Sequence, residues 1–163
     1  MIDVILESGD WHEKALTGWA EQASDATLQH LGLNPWTCEI ALLACDDARI
    51  AELNGDFRNK PAATNVLSWP SEERAASAAG GTPAAPQDEE LGDIALAYET
   101  CAAEATAQSK TFEAHITHLL VHGTLHLLGY DHINDQDAAL MEALEVEILG
   151  KLGIADPYER QTA

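Results

Sequence analysis

Residues 2–7 open the chain as IDVILE, in which apolar and β-branched residues alternate with polar ones and predict a short strand. Between residues 10 and 31 the period changes. Trp11, Leu16, Trp19, Ala20, Ala23, Ala26, Leu28 and Leu31 recur at roughly helical spacing, with Asp10 as a candidate N-cap. CEIALLAC, residues 38–45, is a continuous apolar run and reads as a buried strand. A helix is expected to start at Asp46 or Asp47 and end near Asn54 or Gly55, with Phe57 and Arg58 leading out. Residues 64–70 predict a third strand, stopped by Pro70, and residues 91–99 a fourth.

Between the third and fourth strands, residues 71–90 are rich in alanine, glycine, proline and acid. Too many of these side chains are small to pack well, so a mobile surface loop is expected. Residues 99–128 then read as two helices broken near Ser109. The second, AHITHLLVHGTLHLL, is apolar on most faces, as buried helices are. A last helix over residues 135–152 carries Met141, Leu144, Ile148 and Leu152 at core spacing, and the tail after Ile154 is expected to be loose. Strands come mostly before the long helices, and no repeat interrupts the order. The pattern predicts one α+β domain over residues 1–153, with a small four-stranded sheet packed on a central helix.

Composition narrows the class. At 163 residues and 46% hydrophobic content the chain can bury a real core, and no apolar run is long enough to cross a bilayer. The acidic start lacks the basic region of a secretory signal. Cys38, Cys45 and Cys101 form neither a disulfide framework nor a CxxC pair, so a cytoplasmic setting is expected. Charge complicates the picture. Twenty-eight acidic against eight basic residues give a formal charge of −20, which repels polyanions at long range. Any nucleic-acid role therefore needs a local basic or metal-bearing site.

HGTLHLLGYDH, residues 122–132, supplies such a site. On a helix His122 and His126 lie about 40° apart around the axis and one turn apart along it, so both imidazoles can reach one ion. Gly129 can end the helix and return His132 towards them. Three nitrogen ligands leave a fourth zinc position open for water, whose pKa zinc can lower to about 7. Zinc-protease signatures place a glutamate after the first histidine as general base, and here that position is Gly123. Met141 mimics the methionine of a protease turn but falls in a predicted helix. His118 is either a fourth ligand, which would close the site, or a core or supporting residue, the reading favoured here. His115 reads as a surface or packing residue. Asp131 either orients an imidazole or is a solvated turn residue, and Ser68 either bonds near the metal or is a polar strand residue.

The motif resembles the signature of the YbeY family of bacterial endoribonucleases, whose members carry this glycine. LNGDFRNKPAATNVLSWP, LGDIALAYE and MEALEVEILGKLG (residues 53–70, 91–99 and 141–153) resemble further family segments, in the same order. Asn65 stands where the family usually has aspartate, and the loop over residues 71–90 is longer than usual. The resemblance implies a zincin-like α+β fold with one zinc ion held by His122, His126 and His132. It implies a single-strand-specific endoribonuclease of small-subunit ribosomal RNA maturation and ribosome quality control. Arg58 matches a functionally important arginine of the family's active-site cleft. A metalloprotease or amidase, and a non-catalytic ribosome-assembly factor whose zinc is structural, are the alternatives. For the latter, the acidic surface suits a basic ribosomal protein as partner.

Overall fold

The computed structural model describes residues 1–58, 62–76, 78–83, 85–86 and 89–158, with the side chains of Phe57 and Arg58 left out. Its elements run β1 (Ile2–Leu6), α1 (Glu13–His30), β2 (Glu39–Cys45), α2 (Asp47–Arg58), β3 (Val66–Pro70), β4 (Glu90–Ala97), α3 (Tyr98–Ala107), α4 (Phe112–Leu127) and α5 (Asp135–Lys151). A 3-10 turn at Pro35–Thr37, capped by the Asn34 side chain, precedes β2 and was not expected from the pattern.

The strands form one mixed sheet in the order β1-β2-β4-β3. β1–β2 and β2–β4 are parallel and β3–β4 antiparallel. Successive strand residues point to opposite faces, and two apolar clusters follow from this. Ile40, Leu42 and Ala44 of β2 join Ile94 and Leu96 of β4 in the larger core, with residues of α1, α4 and α5. Cys45, Ala95 and Ala97 face the other way and meet Ile50 and Leu53 of α2. Trp11 stands edge-on to Tyr98, packs against Phe112, and donates its indole N–H to the Cys45 carbonyl at 2.8 Å.

Helix ends depart from expectation for local reasons. His12, not Asp10, caps α1, its Nδ1 accepting the Ala15 amide. α2 continues through Gly55 to Arg58. A glycine inside a helix costs about 1 kcal/mol, and burial of Ile50 and Leu53 against the sheet outweighs it. The break near Ser109 is real. Ser109 takes φ 55° between α3 and α4, and the Lys110 amide reaches back to the Ala105 carbonyl.

Two segments expected to be loose hold anchored residues among those described. Within residues 71–90, Arg74 is only 4% exposed and donates to the carbonyls of Leu127 (2.8 Å) and Leu91 (3.2 Å). It also pairs with Glu72 at 3.2 Å. After α5, the tail returns to the body of the protein at Tyr158, whose ring lies edge-on to that of His118.

Candidate functional site

α4 is buried almost all round, and its middle opens to solvent along one stripe. His118, His122 and His126, spaced by one turn, are the half-buried residues of that stripe, flanked by buried Leu119, Val121, Gly123 and Leu125. Gly123 explains how tightly the helix sits. A Cβ built there would come within 3.1 Å of Ile94 Cδ1, so α4 presses its backbone onto β4. A side chain at 123 would enter this contact between helix and sheet. The glycine thus has a packing role of its own, and a large side chain there would crowd Ile94.

The helix ends in a Schellman turn. Gly129 takes φ 103°, its amide bonding to the His126 carbonyl and the Tyr130 amide to the Leu125 carbonyl. This turn brings the Tyr130 carbonyl to 3.0 Å from His126 Nδ1. A carbonyl can only accept, so Nδ1 carries the proton and the neutral ring has its lone pair on Nε2. Beyond the turn, Asp131 accepts the His132 amide at 2.7 Å, and its carboxylate stands 3.7 Å from His132 Nδ1. It is a turn residue placed beside the imidazole.

His122 is fixed from another side. Its Nδ1 lies 2.7 Å from Oε1 of Glu145, a residue of α5 with no exposure. The same carboxylate receives His118 Nε2 at 3.4 Å and the Tyr158 hydroxyl. Burial alone would raise this carboxyl. Hydrogen bonds from His118, His122 and Tyr158, with the His122 charge, outweigh it and hold the group at about 2. Burial and the Glu145 carboxylate in turn push the Tyr158 phenol up, so it stays the donor. A carboxylate oxygen accepts, so the neutral His122 ring bonded to it carries its proton on Nδ1 and its lone pair on Nε2.

Two linked cavities lie over this stripe. The smaller, about 300 Å³, is lined by His122, His126, His132, Asp131, Ser68 and Val66. The larger, about 990 Å³, runs from His122 and His132 along Glu145 and Tyr158 to Asn65 and Asn54. The His122 and His132 rings are 5.5 Å apart between centroids. All three histidines expected as ligands thus share one cavity. Among the described residues, no three His, Cys, Asp or Glu side chains stand close enough together, as placed, to form a complete metal-binding group. His132, on the turn after α4 with a side chain 62% exposed, is the least constrained of the three.

His118 turns to Glu145 and Tyr158 and is a supporting residue of the stripe. Met141 is a buried residue of α5. His115, expected at a surface or in packing, is buried, with Nε2 2.9 Å from Glu104, which also accepts from the Asn65 amide at 2.9 Å. Arg58 ends α2, and its side chain lies outside the described residues. Glu145 and Tyr158 were missed from sequence. A signal existed for Glu145, a charged residue in phase with Met141 and Ile148 on the buried face of α5. None existed for Tyr158.

Fold and cleft define an α+β protein whose imidazole-rich cavity sits beside the edge strand β3, a setting suited to hydrolytic chemistry. Residues 3–153 match the family model described as Endoribonuclease YbeY, and the chain belongs to that family. It is 56% identical over 162 residues to "Endoribonuclease YbeY" of Ruegeria pomeroyi, covering 96% of this chain and 97% of the relative. It is 46% identical over 158 residues to the protein of that name from Bartonella quintana, covering 96% of each. Among solved structures it is similar to the solution structure of a Thermotoga maritima protein. There the TM-score is 0.56 at 22% identity, over 98% of this chain and 100% of that one, a likeness of fold.

Proposed function

We propose that the chain is a zinc-dependent, single-strand-specific endoribonuclease of zincin-like fold that matures the 3′ end of small-subunit ribosomal RNA and serves ribosome quality control. The observation that carries this reading is the cavity shared by His122, His126 and His132, in a chain of the YbeY family. The donor set fits zinc. Nitrogen ligands suit the ion, and the acceptors at Glu145 and Tyr130 leave the lone pair of both helical rings on Nε2. His122 and His126 would hold the ion from α4, and His132 would complete the set from its exposed turn.

Zinc bound there supplies Lewis acidity, enough to activate water and polarise a phosphoryl oxygen. Arg58, at the end of α2, would grip the phosphate and offset charge gathering on its oxygens. Several cations among the described residues are already engaged. Arg49 is paired with Glu7 and Glu52, Arg74 is buried, and Lys151 meets His30. A surface of charge −20 would be guided to the ribosome by a basic ribosomal protein, where single-stranded RNA is presented. Gly123 weighs against a protease or amidase, since the position of its general base is filled by contact with Ile94.

The test is cleavage of single-stranded RNA, duplex RNA and a denatured protein by the purified chain, with and without chelator. Cleavage of single-stranded RNA alone, abolished by chelation and restored by zinc, is expected. Chelator-sensitive proteolysis with intact RNA overturns the reading.

A further inference from the structure

Glu145 is fully buried, yet among the described residues it pairs with no lysine or arginine. Its two oxygens are shared among three side chains from different parts of the fold. His118 and His122 come from successive turns of α4, and Tyr158 comes from the segment after α5. A buried carboxylate is costly unless its oxygens are hydrogen-bonded, and here each oxygen has a donor. The arrangement is directional. Oε1 takes the Nδ1 proton of His122 at 2.7 Å, and a neutral imidazole bonded this way keeps its lone pair on the opposite nitrogen. In water the other tautomer of histidine is preferred, so a ring left to itself would be the poorer ligand through Nε2. Tyr158 closes the far oxygen, and its ring walls the larger cavity beside His118 and His122.

We infer that Glu145 is a positioning residue for His122, locking the tautomer and ring angle that present Nε2 to the histidine cavity, and that Tyr158 holds Glu145 in place from the C-terminal segment. This rests on the zinc reading for its use, and on geometry alone for the tautomer. His118 serves the same carboxylate from one turn earlier, which accounts for its place in the stripe without a ligand role. The C-terminal segment thereby supports the metal site through Tyr158.

Two measurements on the full chain test this. Long-range proton–nitrogen spectra of the metal-free protein read the His122 tautomer directly. Competition against a chromophoric chelator reads the affinity for zinc alone. The wild type is expected to show the Nδ1–H tautomer and to bind zinc. Glu145→Ala should shift His122 towards Nε2–H and weaken zinc binding by about 10–100-fold. Glu145→Gln keeps the shape should the alanine variant not fold, and it should show a mixed tautomer and an intermediate affinity. Tyr158→Phe should lose affinity in the same direction by less. A wild type that takes up zinc while both Glu145 variants bind it equally well overturns the positioning role and leaves the zinc reading standing. An Nε2–H His122 in the metal-free wild type overturns it as well. A wild type that takes up no zinc overturns the zinc reading, and the positioning role for the metal with it.

Discussion

Gly123 of α4 lies against Ile94 of β4 so closely that one added carbon would come within 3.1 Å of the isoleucine Cδ1. This contact sets the height of the histidine stripe above the sheet. Gly123→Glu should lower stability by about 3 kcal/mol or more, since it overpacks the contact and buries a carboxylate there. Gly123→Ala should stay within about 1 kcal/mol, because helix propensity gained offsets the crowding. Urea unfolding of both variants checks the pair, and the glutamate variant should gain no proteolytic activity.

Zinc should stabilise the native chain by mass action. At one hundred times its dissociation constant the gain is about 2.7 kcal/mol, or about 5–10 °C in melting temperature for a chain of this size. His126→Ala and His132→Ala should abolish that increment while leaving the metal-free melting temperature close to wild type for His132, whose side chain is exposed. Thermal melts with and without zinc, joined to elemental analysis, measure both.

Arg74 clamps the base of the segment over residues 71–90 to the end of α4. Arg74→Ala leaves the Leu127 and Leu91 carbonyls short of a buried donor and should cost about 2–4 kcal/mol. Arg74→Lys should recover little, because a single ammonium cannot reproduce the forked contacts. Denaturation midpoints decide this. Limited proteolysis should show earlier cleavage between residues 74 and 90 in both variants.

His115 gives the expected pH dependence of stability. Burial is the largest influence and lowers its pKa below 6.5, and the neighbouring Glu104 hydrogen bond does not overcome it. The folded state thus holds fewer protons than the unfolded chain just below that value. Its contribution is present above pH 6.5 and is lost as pH falls through the lowered folded pKa. His115→Gln should flatten the slope of stability against pH below 6.5, read by denaturation at fixed ionic strength.

Cys45 and Cys101 should be inert in the native protein. Burial pushes the Cys45 thiol up to about 12 and Cys101 higher still. At pH 8 the thiolate of Cys45 is then about a thousandfold scarcer than in a free peptide. Iodoacetamide should label both residues only after denaturant is added, as mass spectrometry would show.

Periodicity made most of the fold readable, because alternation and helical spacing are imposed by one buried face each. Among the described residues the four strands and five helices fall where the pattern puts them, and the break at Ser109 was visible as a polar gap. Boundaries were less legible. α2 runs past Gly55 because packing of Ile50 and Leu53 overrides a local penalty. The three histidines were readable because their spacing lies on one helix and its terminal turn. Their supports were not. Glu145 reaches His122 from a separate helix and Tyr158 from a segment without periodicity, and such contacts exist only once α5 has docked on α4. Arg74 was hidden for a related reason: small neighbours in its segment disguised an anchored side chain.

The turn that stops α4 has a consequence for how the cavity comes into being. The Tyr130 carbonyl that orients His126 is delivered by the reversal at Gly129, so ending the helix and aiming the ring are one event. No arrangement keeps the helix end frayed and the imidazole aimed. The Tyr130 amide, bonded to the Leu125 carbonyl in the same turn, is therefore a built-in reporter, and its exchange with deuterium would time the opening of the cavity itself.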